Sequence, residues 1–209
     1  MQNKKPAKVP VHGAPHSKQV RIIGGDWKRT PLPVLEALGL RPTPDRVRET
    51  VFNWLRHLQG DWAGAQVLDL FAGSGALGFE AASRGAASVT LVDANMAIVR
   101  QLEANRDKVK ATNITVQRGD ALATAQGLAL RGQRFDVVFL DPPYQQDLLA
   151  RALPLCAPLL KEGGFVYVEA EHPLTDADAP DWLAPWEVVR CDKAGMVHFH
   201  LLGLRPVTA

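Results

Sequence analysis

The sequence predicts an α/β fold: a Rossmann-like, mostly parallel sheet with helices on both faces and a C-terminal antiparallel strand. Three observations predict it. From residue 66 onward, short apolar runs alternate with helical stretches, the pattern of parallel strands joined by crossover helices. The glycines Gly73, Gly75 and Gly78 follow the first of these runs at G-x-G-x-x-G spacing and open a helix. The last two apolar runs have no long helix between them, so a hairpin closes the sheet.

Taken in order, residues 1–18 are Pro, Lys and His without periodicity and read as a flexible basic tail. "QVRIIGGDWKRTPLPV" reads as a short strand, a turn at Gly25 and a second extended piece limited by Pro31 and Pro33. In "RPTPDRVRETVFNWLRHL", Thr43 is placed as an N-cap, Pro44 as the first helical residue and Asp45 at the positive end of the helix dipole. Val47, Val51, Trp54, Leu55 and Leu58 share one apolar face of that helix. Together these segments make a ribbon and helix over 19–60 that pack on a main domain over 61–209. In the main domain "QVLDLF", "SVTLVD", "ITVQ" and "FDVVFLD" are strands, with helices over roughly 76–84, 95–109, 121–129 and 146–160. "GGFVYVEAE", "WEVVRCD" and "MVHFHLLGL" are the closing strands. Trp54 is assigned to the core, and Trp62, Trp182 and Trp186 to packing.

Composition narrows the class. A chain of 209 residues with 46% hydrophobic and 22% charged residues suits one globular domain, and no apolar run reaches 18 residues. A soluble, cytoplasmic protein is expected. Cys156 and Cys191 have no metal-ligand spacing and read as structural thiols; the histidines do not suggest a metal either. Residues 1–48 hold ten Lys or Arg against three Asp or Glu, whereas residues 49–209 hold fourteen against nineteen. A basic front on a mildly acidic body suits a polyanion contact beside a catalytic domain.

The glycine loop lets a ligand approach the backbone closely. Asp93, twenty residues after Gly73 at the end of the next strand, can accept both hydroxyls of an adenosine ribose. A dinucleotide or S-adenosylmethionine would fit this much. Asp69 favours the second, because a carboxylate four residues before Gly73 repels a pyrophosphate and suits a cationic amino group. The chain also leaves little room for the substrate domain a dinucleotide dehydrogenase needs. Asp120 ends the third strand of the set and is placed to receive the adenine amine, its competing role being a helix cap. Phe71, Ala94 and Ala121 are the neighbours of these positions and join Asp69, Gly73, Gly75, Asp93 and Asp120 in the cofactor set.

"FLDPPYQQ" supplies the acceptor chemistry. Asp141 emerges at the end of the fourth parallel strand, on the ligand side. Pro142 and Pro143 stiffen the following backbone and carry no N–H. The Asp141 carboxylate and the Pro142 carbonyl can each take one hydrogen of an exocyclic amine while Tyr144 stacks on the base. Such a clamp aims the nitrogen lone pair at a methyl donor and does not distinguish guanine from adenine. Arg21, Trp27, Lys28 and Arg29 are candidates for an RNA or DNA surface.

"RIIGGDW" at 21–27, "LRPTPDRVRETVFNWL" at 40–55, "DLFAGSGALGFEAASRG" at 69–85, "DPPY" at 141–144 and a weaker "VYVEAE" at 166–171 resemble the bacterial 16S ribosomal RNA guanine-N2 methyltransferases of RsmD type. The resemblance implies a class I fold of seven strands, adenosylmethionine as methyl donor, no metal, and a guanine amine of small-subunit RNA as acceptor. It implies an assembled or partly assembled small subunit, with ribosomal protein nearby, as the substrate; a monomer is expected. It carries Asp69, Gly73, Gly75 and Asp93 to cofactor binding and residues 141–144 to the acceptor site. Arg41, Thr43, Asp45, Arg46 and Arg48 match its narrowest motif; Thr43 and Arg46 are assigned to the cofactor side, and Arg41 and Arg48 to RNA. In one departure the family continues from the tryptophan as Arg-Gly-Arg, where this chain has Lys28, Arg29 and Thr30. An adenine-N6 DNA methyltransferase and a non-catalytic RNA-binding assembly factor are the alternatives.

Overall fold

The computed structural model describes residues 19–35, 43–143, 147–174 and 180–206. Among the described residues, nine strands and five α-helices follow the expected order. β1 (Gln19–Arg21) and β2 (Pro31–Pro33) form the antiparallel ribbon, and α1 (Asp45–Gln59) follows. The main sheet orders its strands β5-β4-β3-β6-β7-β9-β8, with β3 (Gln66–Asp69), β4 (Ser88–Asp93), β5 (Ile114–Arg118), β6 (Phe135–Leu140) and β7 (Leu160–Ala170) all parallel. β9 (Val197–Leu204) inserts antiparallel between β7 and β8 (Trp186–Ala194), so the hairpin closes the sheet with its second strand inward. The chain runs outward from β3 through β4 to β5, then returns to β6 on the other side of β3. The β3–β6 junction is therefore the topological switch point, where parallel sheets bind ligands at the strand C-termini.

Side-chain alternation divides the core into two layers. Val67, Val137, Phe139 and Tyr167 pack with α1, α2 (Ala76–Ser83) and α3 (Met96–Lys108) on one face. Leu68, Val138, Leu140 and Val168 pack with α4 (Ala121–Leu130) and α5 (Leu148–Cys156) on the other. The expected helix over 146–160 is shorter: Pro154 has no N–H to donate, and the chain tightens into a 3₁₀ turn at Ala157–Leu159. At α1 the cap differs too. Pro44 is the N-cap and Asp45 the first helical residue, and no side chain caps the helix. Phe52, absent from the expected apolar face, is fully buried and packs against Trp62 and Phe139. Trp62 and Trp186 are buried, while Trp54 and Trp182 lie half-buried on the two core layers.

One buried charge cluster fastens the N-terminal ribbon to this body. Glu80 of α2 is fully buried; its Oε2 accepts from the Ile23 amide at 2.8 Å, and its Oε1 from the Gly24 amide at 2.8 Å. The Arg48 and Arg84 guanidiniums also donate to it, at 3.3 and 2.9 Å. Ser83 Oγ accepts from the Trp27 amide and donates to the Gly24 carbonyl. A side chain at Gly25, where φ is +74°, would run into the Ser83 carbonyl, which explains a glycine at that position. On the other flank, Asn105 and Lys108 of α3 donate to the carbonyls of Pro33 and Pro31.

Candidate active site

The site is assembled from strand ends. Asp69 is the last residue of β3, Asp93 the last of β4, and Asp141 follows β6. Asp69 pairs in register with Phe139, two residues before Asp141, so both carboxylates leave the same face of the sheet on either side of the switch point. A third acidic residue joins them. Leu140 of β6 pairs with Val168 of β7, which sets Glu169 beside Asp141. Glu169 is buried, and the Tyr167 hydroxyl donates to its Oε1 at 2.8 Å. Tyr167 is itself packed edge-on against Phe139.

Asp69 and Asp141 hold their protons more tightly than ordinary carboxyls. Asp69 is 2% exposed, and burial pushes its pKa up to about 7, with the Asp93 charge adding to the rise. Its Oδ2 makes no hydrogen bond, although the nearby amides of Gly78 and Phe71 offset part of the burial penalty. Asp141 is held well above the usual carboxylate range, first by burial, then by the charges of Glu169 and Asp69. A buried carboxylate oxygen without a donor is costly unless a ligand supplies one.

The glycine turn supports this arrangement. Gly73 and Gly75 adopt left-handed backbone, with φ of 49° and 75°. The Gly73 amide donates to Asp93 Oδ2 at 3.0 Å, and the Asn95 amide to Oδ1 at 2.8 Å, which fixes the Asp93 carboxylate while leaving it partly open to solvent. A side chain at Gly78 would strike Leu91 and crowd Asp69 Oδ2, so the third glycine lets α2 pack closely on the sheet. This geometry fits adenosylmethionine. The unpartnered Asp69 oxygen suits its ammonium, the fixed Asp93 carboxylate suits its ribose hydroxyls, and a pyrophosphate would meet like charge.

The remaining candidates fall in separate places. Asp120 caps α4, its Oδ1 accepting from the Ala123 amide at 2.9 Å with Oδ2 left over; Ala121 is buried behind it. Phe71 is half-buried against the second core layer, and Ala94 is exposed. Thr43 is buried, with its carbonyl accepting from Arg48 Nε. Arg46 is exposed and donates to the Lys193 carbonyl at 3.0 Å. Arg21, Lys28 and Arg29 are exposed on the ribbon, and Trp27 is half-buried on the core. Pro142 is buried and Pro143 exposed; Tyr144 and Arg41 lie outside the described residues.

Arg48 corrects an expectation. It was assigned to RNA, but it is 1% exposed and donates to Glu80, Asp45 and the carbonyls of Thr43 and Arg21. Its guanidinium is consumed in holding the ribbon. Glu169 and Glu80 are the acidic residues that sequence reading missed. The signal for Glu169 was present in "VYVEAE", a strand ending in an acidic residue beside the Asp-Pro-Pro strand. Among the described residues no group of His, Cys, Asp or Glu could hold a metal, and no helix is long and apolar enough to cross a membrane.

Comparison with known proteins agrees with this fold. Residues 20–203 match the family model described as Conserved hypothetical protein 95. The ribosomal RNA small subunit methyltransferase D of Escherichia coli K12 is 42% identical over 196 residues, covering 93% of both chains. That of Haemophilus influenzae is 39% identical, covering 90% of this chain and 95% of its own. The solved structure of yhhF from Escherichia coli superposes with a TM-score of 0.73 at 41% identity, covering 88% of this chain and 97% of that one. With similarity running from the first ribbon to the last strand, this chain belongs to the Conserved hypothetical protein 95 family, that of the ribosomal RNA small subunit methyltransferase D proteins.

Proposed function

We propose that the protein transfers a methyl group from S-adenosylmethionine to the exocyclic N2 amine of a guanine in 16S ribosomal RNA. The observation that carries this reading is the pairing, on adjacent strands, of an unpartnered buried carboxylate oxygen at the glycine turn with the Asp-Pro-Pro segment. One seats a cationic cofactor, and the other grips an amine beside it. The identity with ribosomal RNA methyltransferases over nearly the whole chain supports RNA as the acceptor.

When bound, adenosylmethionine would supply the methyl group by direct in-line transfer. Asp69 would hold its ammonium, and Asp93 its ribose hydroxyls. Asp141 and the Pro142 carbonyl each accept one amine hydrogen, and Tyr144 stacks on the base, so the nitrogen lone pair is turned out of conjugation. Stabilising positive charge on that nitrogen is the main electrostatic task. Asp141, ionised beside the cationic cofactor, then takes the proton the methylated amine must lose, and passes it to water. The ribbon residues Lys28 and Arg29 hold RNA phosphates. The substrate is an assembled or partly assembled small subunit, with ribosomal protein nearby, met by a cytoplasmic monomer.

The test is incubation with labelled adenosylmethionine and small subunits lacking the modification, followed by nucleoside analysis. Label in N2-methylguanosine is expected. Label only in N6-methyladenine would transfer the clamp to the adenine reading, which its geometry also permits.

A further inference from the structure

The hairpin between β8 and β9 stands at the same sheet edge as Asp141. β7 is parallel to β6, and Ala170 at its end pairs with His198; Ala194 pairs with Val197, so the two-residue turn Gly195–Met196 rises beyond that edge. Strand spacing sets this turn roughly 10–15 Å from the Asp141 strand. Gly195 has φ of 63° at the first turn position, the geometry of a tight, twist-matched hairpin loop. That tip presents Met196 with 83% exposure. Leu130 is equally exposed but ends α4 at the opposite sheet edge.

Two cations lie at this end of the hairpin. Lys193 is exposed, and Arg46 reaches from the first turn of α1 to donate to the Lys193 carbonyl at 3.0 Å. That bond uses one guanidinium donor and locks the hairpin tip to α1. Among the described residues neither cation forms an ion pair. The neighbouring Asp192 is exposed and makes no ion pair with either of them, its Oδ1 accepting from the Lys193 amide at 2.7 Å. An exposed unbranched apolar side chain at a hairpin tip, with two cations nearby that form no ion pair among the described residues, matches what a folded RNA demands when one base leaves its stack: a wedge, with charge close by for the backbone.

We propose that this turn is a second RNA-contacting element of the site, in which Met196 fills the stack position vacated by the target nucleotide while Lys193 and Arg46 hold the flanking phosphates. The inference rests on the ribosomal RNA methyl-transfer reading and states how that substrate is seated. It separates two kinds of RNA contact: the ribbon anchors the substrate, and the hairpin admits one base.

Met196→Ala, Met196→Leu and Lys193→Ala are assayed with labelled adenosylmethionine and small subunits lacking the modification. Met196→Ala is expected to lower kcat/KM for the subunit roughly tenfold, with Met196→Leu restoring most of it. Lys193→Ala should raise KM and reduce the salt slope of RNA binding by about one. Calorimetric affinity for adenosylmethionine and the melting temperature should not change in any variant. Unchanged kcat/KM in Met196→Ala, or an unchanged salt slope in Lys193→Ala, overturns the hairpin's role while leaving the methyl-transfer reading intact. Absence of label from the RNA with the wild-type protein overturns that reading, and this inference with it.

Discussion

Glu80 and Asp69 are both buried carboxylates on the same side of the sheet, and they are treated in opposite ways. Glu80 is 0% exposed and surrounded by donors: two backbone amides and two guanidiniums. Asp69 is 2% exposed, faces the acidic Asp93 and Asp141, and keeps one oxygen without a donor. Burial alone is thus no guide to role. A buried carboxylate whose cations come from its own chain closes the structure, as Glu80 closes the ribbon onto α2. One whose surroundings are acidic is incomplete until a cation arrives from outside, and adenosylmethionine carries two.

The contrast is broken most severely at the open cluster. Asp141→Ala should lower methyl transfer on the order of a thousandfold, because it removes the acceptor that aligns the amine and takes its proton. Calorimetry should show adenosylmethionine binding largely retained; unchanged turnover would remove Asp141 from the acceptor site. Asp69 has the next largest effect, and it acts in two directions. Its folded-state pKa of about 7 lies above the ordinary 3.8, so the folded protein binds this proton more tightly than the unfolded chain. The Asp69 contribution to the stability of the ligand-free protein should therefore be present in full below about pH 4 and be lost as pH rises to about 7, by up to about 4 kcal/mol, against an opposite contribution from His200, whose pKa burial lowers to about 4. Compared with wild type in urea titrations, Asp69→Asn should remove that contribution, so that stability falls less or rises more between about pH 4 and 7, and should stabilise the ligand-free protein at pH 8 while weakening adenosylmethionine binding. A variant with the wild-type slope would show that Asp69 is not the group titrating.

At the closed cluster the signs reverse. Arg48→Met should destabilise the protein by about 3 kcal/mol, near the low end for breaking a buried pair, since Arg84 still neutralises Glu80. Adenosylmethionine affinity should be nearly unaffected, because Arg48 touches the ribbon and not the glycine turn. Equilibrium unfolding and calorimetry on the same variant separate the two effects. A large loss of cofactor affinity with little loss of stability would return Arg48 to the site.

The same division decides what could be read from the sequence. Asp69, Asp93 and Asp141 were legible because a strand end fixes where a side chain emerges, and strand ends follow from local apolar runs. The fold followed for the same reason, its strands and helices being set by periodicity over a few residues. The Glu80 cluster was illegible because its partners lie 32 and 56 residues away in sequence, at Arg48 and Gly24. Arginine is rarely buried, so an arginine in a basic stretch is read as surface. Glu169 depended on the β6–β7 register, which periodicity does not supply. Part of the family's narrow motif thus proves to be a fastening. Its Arg48 pairs with Glu80 of the "GFEAASRG" segment, and the "RIIGG" backbone lies on that same glutamate.

The smallest effect tests the exposed end of that fastening. Arg29 adopts φ of 71°, a left-handed backbone that costs an L-residue roughly 1 kcal/mol, and it occupies the place of the glycine in the family's Arg-Gly-Arg. The conformation is imposed by the ribbon: the Arg29 amide donates to Ile22 at 2.8 Å and the Thr30 amide to Trp27 at 3.0 Å. Chain flexibility returned to the unfolded state by glycine offsets part of the relief. Arg29→Gly should therefore stabilise the ligand-free protein by about 0.5 kcal/mol in urea titrations. The same change removes an exposed cation, so the salt slope of RNA binding should fall by about one. A protein that becomes more stable and binds RNA less well would show that this chain keeps a strained backbone for the sake of a phosphate contact. A variant with less stability, or an unchanged salt slope, would remove Arg29 from the RNA surface or the strain from its backbone.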